Sequence, residues 1–180
     1  MSGYNPDKHH RRSIRLKNYD YSQNGSYFLT LCTFDRSCYF EQFGQLCQIV
    51  EAQWQSLPER FSGVVLDEYV VMPNHFHGII VLCRDTPCGY PGSSNHLGNI
   101  VGSFKSLCVN AWLKIINSEK INARGKFWQG NYYEHIIRND SEMERIRRYI
   151  AENPLRWSLD QENPGYNKHQ EQQKAEPWMM

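Results

Sequence analysis

Apolar positions along this chain alternate between two periods, and the switches mark out its elements. Residues 26–34 (Ser26-Tyr27-Phe28-Leu29-Thr30-Leu31-Cys32-Thr33-Phe34) are rich in aromatic and β-branched types and follow Asn24-Gly25, which predicts a strand. Leu46, Ile49, Val50, Trp54 and Leu57 then recur at helical spacing, predicting an amphipathic helix over roughly 44–60 with Pro58 near its end. Residues 64–72 and 76–82 are two further apolar runs, and the tight Pro73-Asn74 connection makes them an antiparallel hairpin. Ile100, Val101, Phe104, Leu107, Cys108, Ala111, Trp112, Ile115 and Ile116 predict a long second helix, and 127–138 contains a fourth strand. Ser141-Glu142-Met143-Glu144 fits a capping box with Ser141 as N-cap, so a third helix is expected from there to just before Pro154.

Strand, helix, strand, strand, helix, strand, helix is an α+β order. It matches the ferredoxin-like β-α-β-β-α-β unit, an antiparallel sheet with two helices on one face and an added C-terminal helix free to cross the other. The third strand is commonly central in that topology. Outside these elements, 1–22 reads as a basic arm, 84–96 as a loop rich in Pro, Gly and Ser, and 159–180 as a polar tail without periodicity, expected to be disordered. One domain, 23–158, is left between arm and tail.

Composition changes this picture little. The chain has 180 residues, 40% of them hydrophobic, enough for one core. Its 20 Lys+Arg against 19 Asp+Glu do not announce a nucleic-acid binder. Arrangement says more: Lys8, Arg11, Arg12, Arg15 and Lys17 crowd the N-terminus, and Arg138, Arg145, Arg147 and Arg148 cluster late, which can give a neutral protein a basic face. The six cysteines are scattered without Cys-x-x-Cys pairs, as expected of free thiols in a reducing cytoplasm. No apolar run approaches the ~20 residues a membrane span needs, and the N-terminus lacks the apolar stretch of an export signal.

The chemistry concentrates at His75-Phe76-His77, where the third strand begins. Residues i and i+2 of a strand share a face, so the two imidazoles lie roughly 6–7 Å apart along it, close enough to hold one metal ion. Such an ion needs an oxygen ligand. The last helix offers Tyr149 and Asn153, four residues and thus about 40° apart around its axis. Packed over the histidine face, it would bring a nucleophilic hydroxyl and an amide oxygen to the same metal. The plainer alternatives are two exposed histidines on an edge strand and a tyrosine that simply packs in the core.

Pro73-Asn74-His75-Phe76-His77-Gly78-Ile79-Ile80 resembles the His-hydrophobic-His motif of the single-tyrosine HUH transposases. Ser103-Phe104-Lys105, the segment from Phe127-Trp128-Gln129 to Arg138, and Tyr149-Ile150-Ala151-Glu152-Asn153-Pro154 follow in the order and spacing of the REP-associated tyrosine transposases, or IS200-like transposases. The likeness runs from about Tyr27 to Trp157. It implies nicking and joining of single-stranded, hairpin-bearing DNA through a 5′-phosphotyrosine link, with Mg²⁺ or Mn²⁺ on His75, His77 and a third polar ligand. Tyr149 matches the family's tyrosine-bearing helix, and Asn153 stands where that helix often carries Gln. Tyr132, in the equally recognisable Trp-Gln-x-x-Tyr block, is the alternative nucleophile. The DNA path would use Arg11, Arg12, Arg15, Lys17, Lys105, Arg138, Arg145 and Arg148, with Tyr4, Tyr19 and Tyr21 available for stacking. Such an enzyme would work as a monomer or homodimer in a bacterial cytoplasm, at the nucleoid when acting, with no membrane partner. Two other readings share the residues: a ferredoxin-like nucleic-acid-binding module without catalysis, and a metal-dependent phosphodiesterase acting through bound water.

Overall fold

The computed structural model describes residues 19–83, 96–159 and 163–165. Arg11, Arg12, Arg15, Lys17 and Tyr4 of the arm, Cys88, the 84–95 part of the loop and nearly all of the tail lie outside the described residues.

Four strands, β1 (Gly25–Cys32), β2 (Val64–Met72), β3 (His75–Leu82) and β4 (Tyr133–Ile137), form one sheet in the order β2-β3-β1-β4. Every neighbouring pair is antiparallel, the order of a ferredoxin-like unit. The helices are α1 (Tyr39–Gln42), α2 (Gly44–Gln55), α3 (Leu57–Arg60), α4 (Leu97–Glu119) and α5 (Asp140–Arg156). None of the described helices is long and apolar enough to cross a membrane.

Strand alternation divides the apolar side chains between two faces. Tyr27, Leu29 and Leu31 of β1 and Phe76, Ile80 and Leu82 of β3 join Leu46, Val50 and Trp54 of α2 and Ile100, Phe104, Cys108 and Trp112 of α4 in the main core. On the other face, Phe28, Ile79 and Ile137 pack against Ile146 and Ile150 of α5, a smaller second core. β3 is therefore covered on both sides, and its histidines are not the exposed edge pair of the plainer reading.

The expected helix over 44–60 is broken at Ser56 into α2 and α3. Pro58 has no N–H to donate to the carbonyl four residues back, and it sits instead in the first turn of α3, where no such bond is needed. The C-terminal helix starts two residues early. Its N-cap is Asn139 rather than Ser141: Asn139 Oδ1 accepts from Glu142 N at 2.9 Å, while Glu142 Oε2 accepts from Arg138 N at 2.8 Å. It also runs through Pro154 to Arg156 rather than stopping before it, with the 3₁₀ turn Trp157–Leu159 beyond. Pro154 costs only the bond to the Ile150 carbonyl, and a single turn follows it.

β1 ends at Cys32, earlier than expected, because the chain turns at Thr33. Asp35 and Arg36 in that turn have φ of 53° and 54°. The left-handed region costs a residue with a Cβ roughly 1–2 kcal/mol. The described cysteines Cys32, Cys38, Cys47, Cys83 and Cys108 are free thiols, and Cys32 and Cys83 are half-buried.

Candidate metal and nucleophile site

Buried polar side chains locate the site without reference to any motif. Among the described residues they are His75 and His77 of β3, Asn74 and Thr33 in the turns beside them, and Asn153 of α5. A folded chain buries polar groups only where they are satisfied or used.

His75 and His77 point to the α5 face, as the alternation of β3 requires, with ring centroids 4.5 Å apart. Each ring is oriented from its Nδ1 side. Asn74 Nδ2 donates to the Arg36 carbonyl at 3.0 Å, which turns Asn74 Oδ1 toward His75 Nδ1, 2.8 Å away. An amide oxygen only accepts, so His75 Nδ1 carries the proton and the lone pair stays on Nε2. Thr30, paired with His77 across β1 and β3, places its Oγ1 2.9 Å from His77 Nδ1. An amide oxygen behind an imidazole fixes its tautomer and makes it a better ligand, whereas the Thr30 hydroxyl, able to donate or accept, positions the His77 ring. Burial above all, then the neighbouring His75, depresses His77 to about 3, so its ring is neutral at pH 7 as metal ligation requires.

α5 crosses this face and presents Tyr149 and Asn153 at successive turns, with Trp157 just past its end. Tyr149 Oη lies 3.3 Å from His77 Nε2, and its ring meets Phe28 and His77 edge-on. The Trp157 ring lies 6.0 Å from that of His75. Asn153 stands between these two contacts on the same helical face, 4% exposed, with its Oδ1 buried and without a hydrogen-bond partner. Two imidazoles and an orphaned amide oxygen suit a divalent cation; among the described residues no group of three His, Cys, Asp or Glu could hold one. Tyr149 itself is 47% exposed and reachable from solvent.

A cleft of about 430 Å³ opens over the histidines, with Phe28, Thr30, Tyr149, Tyr133 and Arg36 among its walls. Gln129 and Asn131 also line it, on a segment stitched to the end of β1 by Phe34 N to Phe127 O and Gln129 N to Cys32 O. Lys105 of α4 secures that segment by donating to the carbonyls of Gln129 and Gly130. Burial, then Lys126, lowers Lys105 to about 8.

The sequence-derived candidates therefore fall in different places. His75, His77 and Tyr149 come together, and Asn153 lies buried one turn beyond Tyr149 on α5. Tyr132 reaches the cleft but packs partly against the main core, and Tyr133, paired with Thr30, takes the histidine face. Lys105 holds backbone. Arg138, Arg145 and Arg148 are exposed, with Arg145 3.5 Å from Glu142. Asn74, Thr30 and Arg36 were missed by spacing, because their roles depend on strand pairing and on a turn.

No family model matches the chain. A protein of Haemophilus influenzae described as uncharacterized is 39% identical over 178 residues, covering 88% of this chain and 96% of that protein. The structure of a REP-associated tyrosine transposase bound to a REP hairpin matches with a TM-score of 0.51 and 21% identity, over 80% of this chain and 74% of that one. A likeness at that identity is one of fold.

Proposed function

The chain belongs to one family with the Haemophilus influenzae protein and has an IS200/REP-like transposase fold, and from that premise we propose that it nicks and rejoins single-stranded DNA through Tyr149. The observation that carries the reading is the 3.3 Å approach of Tyr149 Oη to His77 within a single chain. It supports one catalytic centre built from the third strand and the last helix.

Tyr149 Oη attacks the phosphorus of a phosphodiester lying in the cleft. The P–O3′ bond breaks, the 3′ oxygen takes up a proton to leave as a hydroxyl, and the 5′ phosphate stays on the tyrosine. The bond energy is kept in the ester, so attack by a 3′-hydroxyl regenerates the strand without an energy source. Mg²⁺ or Mn²⁺, held by His75, His77 and Asn153, would supply Lewis-acid polarisation of a phosphoryl oxygen when bound. A phenol of ordinary pKa near ~10 needs such help to act as a nucleophile at neutral pH. Asn74 and Thr30 hold the two rings, and Phe28 stacks on His77 at 5.2 Å to limit its rotation. The REP hairpin carried by the neighbouring structure supports hairpin-bearing DNA as substrate. The exposed Arg145 and Arg148, on the helix that bears Tyr149, are suited to phosphates flanking the cut.

A 3′-labelled, hairpin-bearing oligonucleotide incubated with Mn²⁺ and then denatured tests the reading. Label should stay on the wild-type protein and on Tyr132→Phe, and be lost from Tyr149→Phe. The opposite pattern would move the nucleophile to Tyr132. Cleavage without retained label would favour water as the nucleophile, and trapping by both variants would refute the site.

A further inference from the structure

One wall of the cleft is a cation that the chemistry above does not use. Arg36 lines the space over the histidines with His75, His77, Tyr149 and Gln129. It gets there by a backbone path that most residues avoid: both Asp35 and Arg36 are left-handed, at φ of 53° and 54°. Such conformations persist only where surrounding contacts impose them. Here Arg36 N donates to Thr33 O at 3.1 Å, Asn74 Nδ2 donates to Arg36 O at 3.0 Å, and Thr33 Oγ1 donates to Ser37 O at 2.6 Å. The Arg124 guanidinium lies 3.6 Å over the Phe34 ring and closes the turn from outside.

A turn of this shape is best filled by glycine or asparagine, so the backbone alone gives no reason for arginine at the second left-handed position. The side chain does. Cys32 pairs directly across from His75, and its thiol, pushed up by burial, is pulled back first by Arg36 and then by Lys105, which sets the guanidinium charge near the strand end facing His75. Asn74 orients His75 with its oxygen and pins the Arg36 carbonyl with its nitrogen, so imidazole and guanidinium are placed by one amide.

We propose that Arg36 is a phosphate-binding residue of the cleft, its planar fork gripping non-bridging oxygens of the phosphodiester presented to the histidine pair. A guanidinium meets two phosphate oxygens at once, as a lysine cannot. The ligand class is a nucleic-acid phosphodiester, and the inference rests on the reading of the cleft given above. It adds the group that binds the anion before the metal or Tyr149 acts on it.

Fluorescence anisotropy of a labelled single-stranded, hairpin-bearing oligonucleotide in EDTA, across a salt series, tests the proposal apart from cleavage. Arg36→Gly suits the left-handed backbone, so the variant should still fold and melt in one cooperative transition. Its affinity should fall at least tenfold, and the slope of log affinity against log salt should shrink by about 0.7, the single-strand value for one lost phosphate contact. Arg36→Lys should keep the slope and lose affinity only a few-fold. Unchanged affinity and slope in Arg36→Gly would overturn the proposal, even if wild type traps DNA covalently. The converse, lost affinity and slope in a protein that never traps DNA, would leave the phosphate site standing and remove the strand-transfer reading. A wild type that binds no oligonucleotide would overturn both.

Discussion

A Cβ added at Gly78 would lie 2.6 Å from Trp54 Cζ2 and 2.8 Å from Phe76 Cε1, so the strand that carries His77 tolerates no side chain at the next position. Gly78→Ala must push the Trp54 ring or the strand itself. Overpacking of this kind costs about 1–3 kcal/mol, to be read as a lowered urea midpoint. His77 makes a second residue-scale prediction. Its depressed pKa means that below 6.5 the unfolded chain binds a proton that the native ring refuses until about 3. The contribution to stability is therefore complete above pH 6.5 and drains away as pH falls toward 3. Urea midpoints measured between pH 7.5 and 4 should drop on acidification, and His77→Gln should flatten that drop. The histidine pair was legible in the sequence because strand alternation alone puts i and i+2 on one face. Thr30, 47 positions from His77, was not, since only the β1–β3 register makes them neighbours.

Helix α5 is fastened at both edges of the sheet it crosses. Arg147 reaches β2, its Nε 2.8 Å from Asp67 Oδ1 and its Nη2 2.6 Å from Oδ2, beside the bulge between Leu66 and Tyr69. Glu142 takes His135 Nε2 of β4 at 2.8 Å. Hydrogen bonds from Arg147 hold the Asp67 carboxyl below its usual range. The Arg147–Asp67 pair is part-exposed, so Arg147→Ala should lower the urea midpoint only slightly. Tyr149 lies two residues further along, and its rate of covalent trapping should fall by more than that slight change explains. Arg156→Ala, which removes an exposed i,i+4 pair with Glu152, is the control and should change stability by less than about 0.5 kcal/mol. Loss of trapping by both variants alike would mean that the tie to β2 has no special part. The existence of this helix and its inward face could be read from Ile146 and Ile150. Its start could not: Ser141 and Asn139 both have the chemistry of a cap, and the choice is made by Glu142, whose carboxylate reaches back to Arg138 N. The break at Ser56 was masked in a similar way, because Leu57 continues the apolar spacing across it.

At the scale of the whole molecule, order along the chain was enough to give the topology, since a two-residue turn leaves β2 and β3 little choice but to pair. What order could not give is that α5 closes the site from the same chain, with the second apolar cluster beneath it. A site assembled on folding couples ligand to stability. Mn²⁺ at a hundred times its dissociation constant should stabilise the native state by about 2.7 kcal/mol. For a domain of this size that is roughly 5–10 °C in melting temperature. Thermal scans with Mn²⁺, then with excess chelator, should show the rise and its reversal. His75→Gln and Asn153→Leu should abolish the rise; a rise that survived both would place the cation elsewhere.

Asn74 stands at the hinge of two inheritances. Its oxygen decides which nitrogen of His75 bears hydrogen, and its nitrogen decides where the turn through Arg36 comes to rest. An aspartate there would still serve the imidazole while repelling the carbonyl it replaced a grip on, so the two duties come apart under one-atom surgery. Asn74→Asp would thus release the arginine's posture while still holding the histidine's.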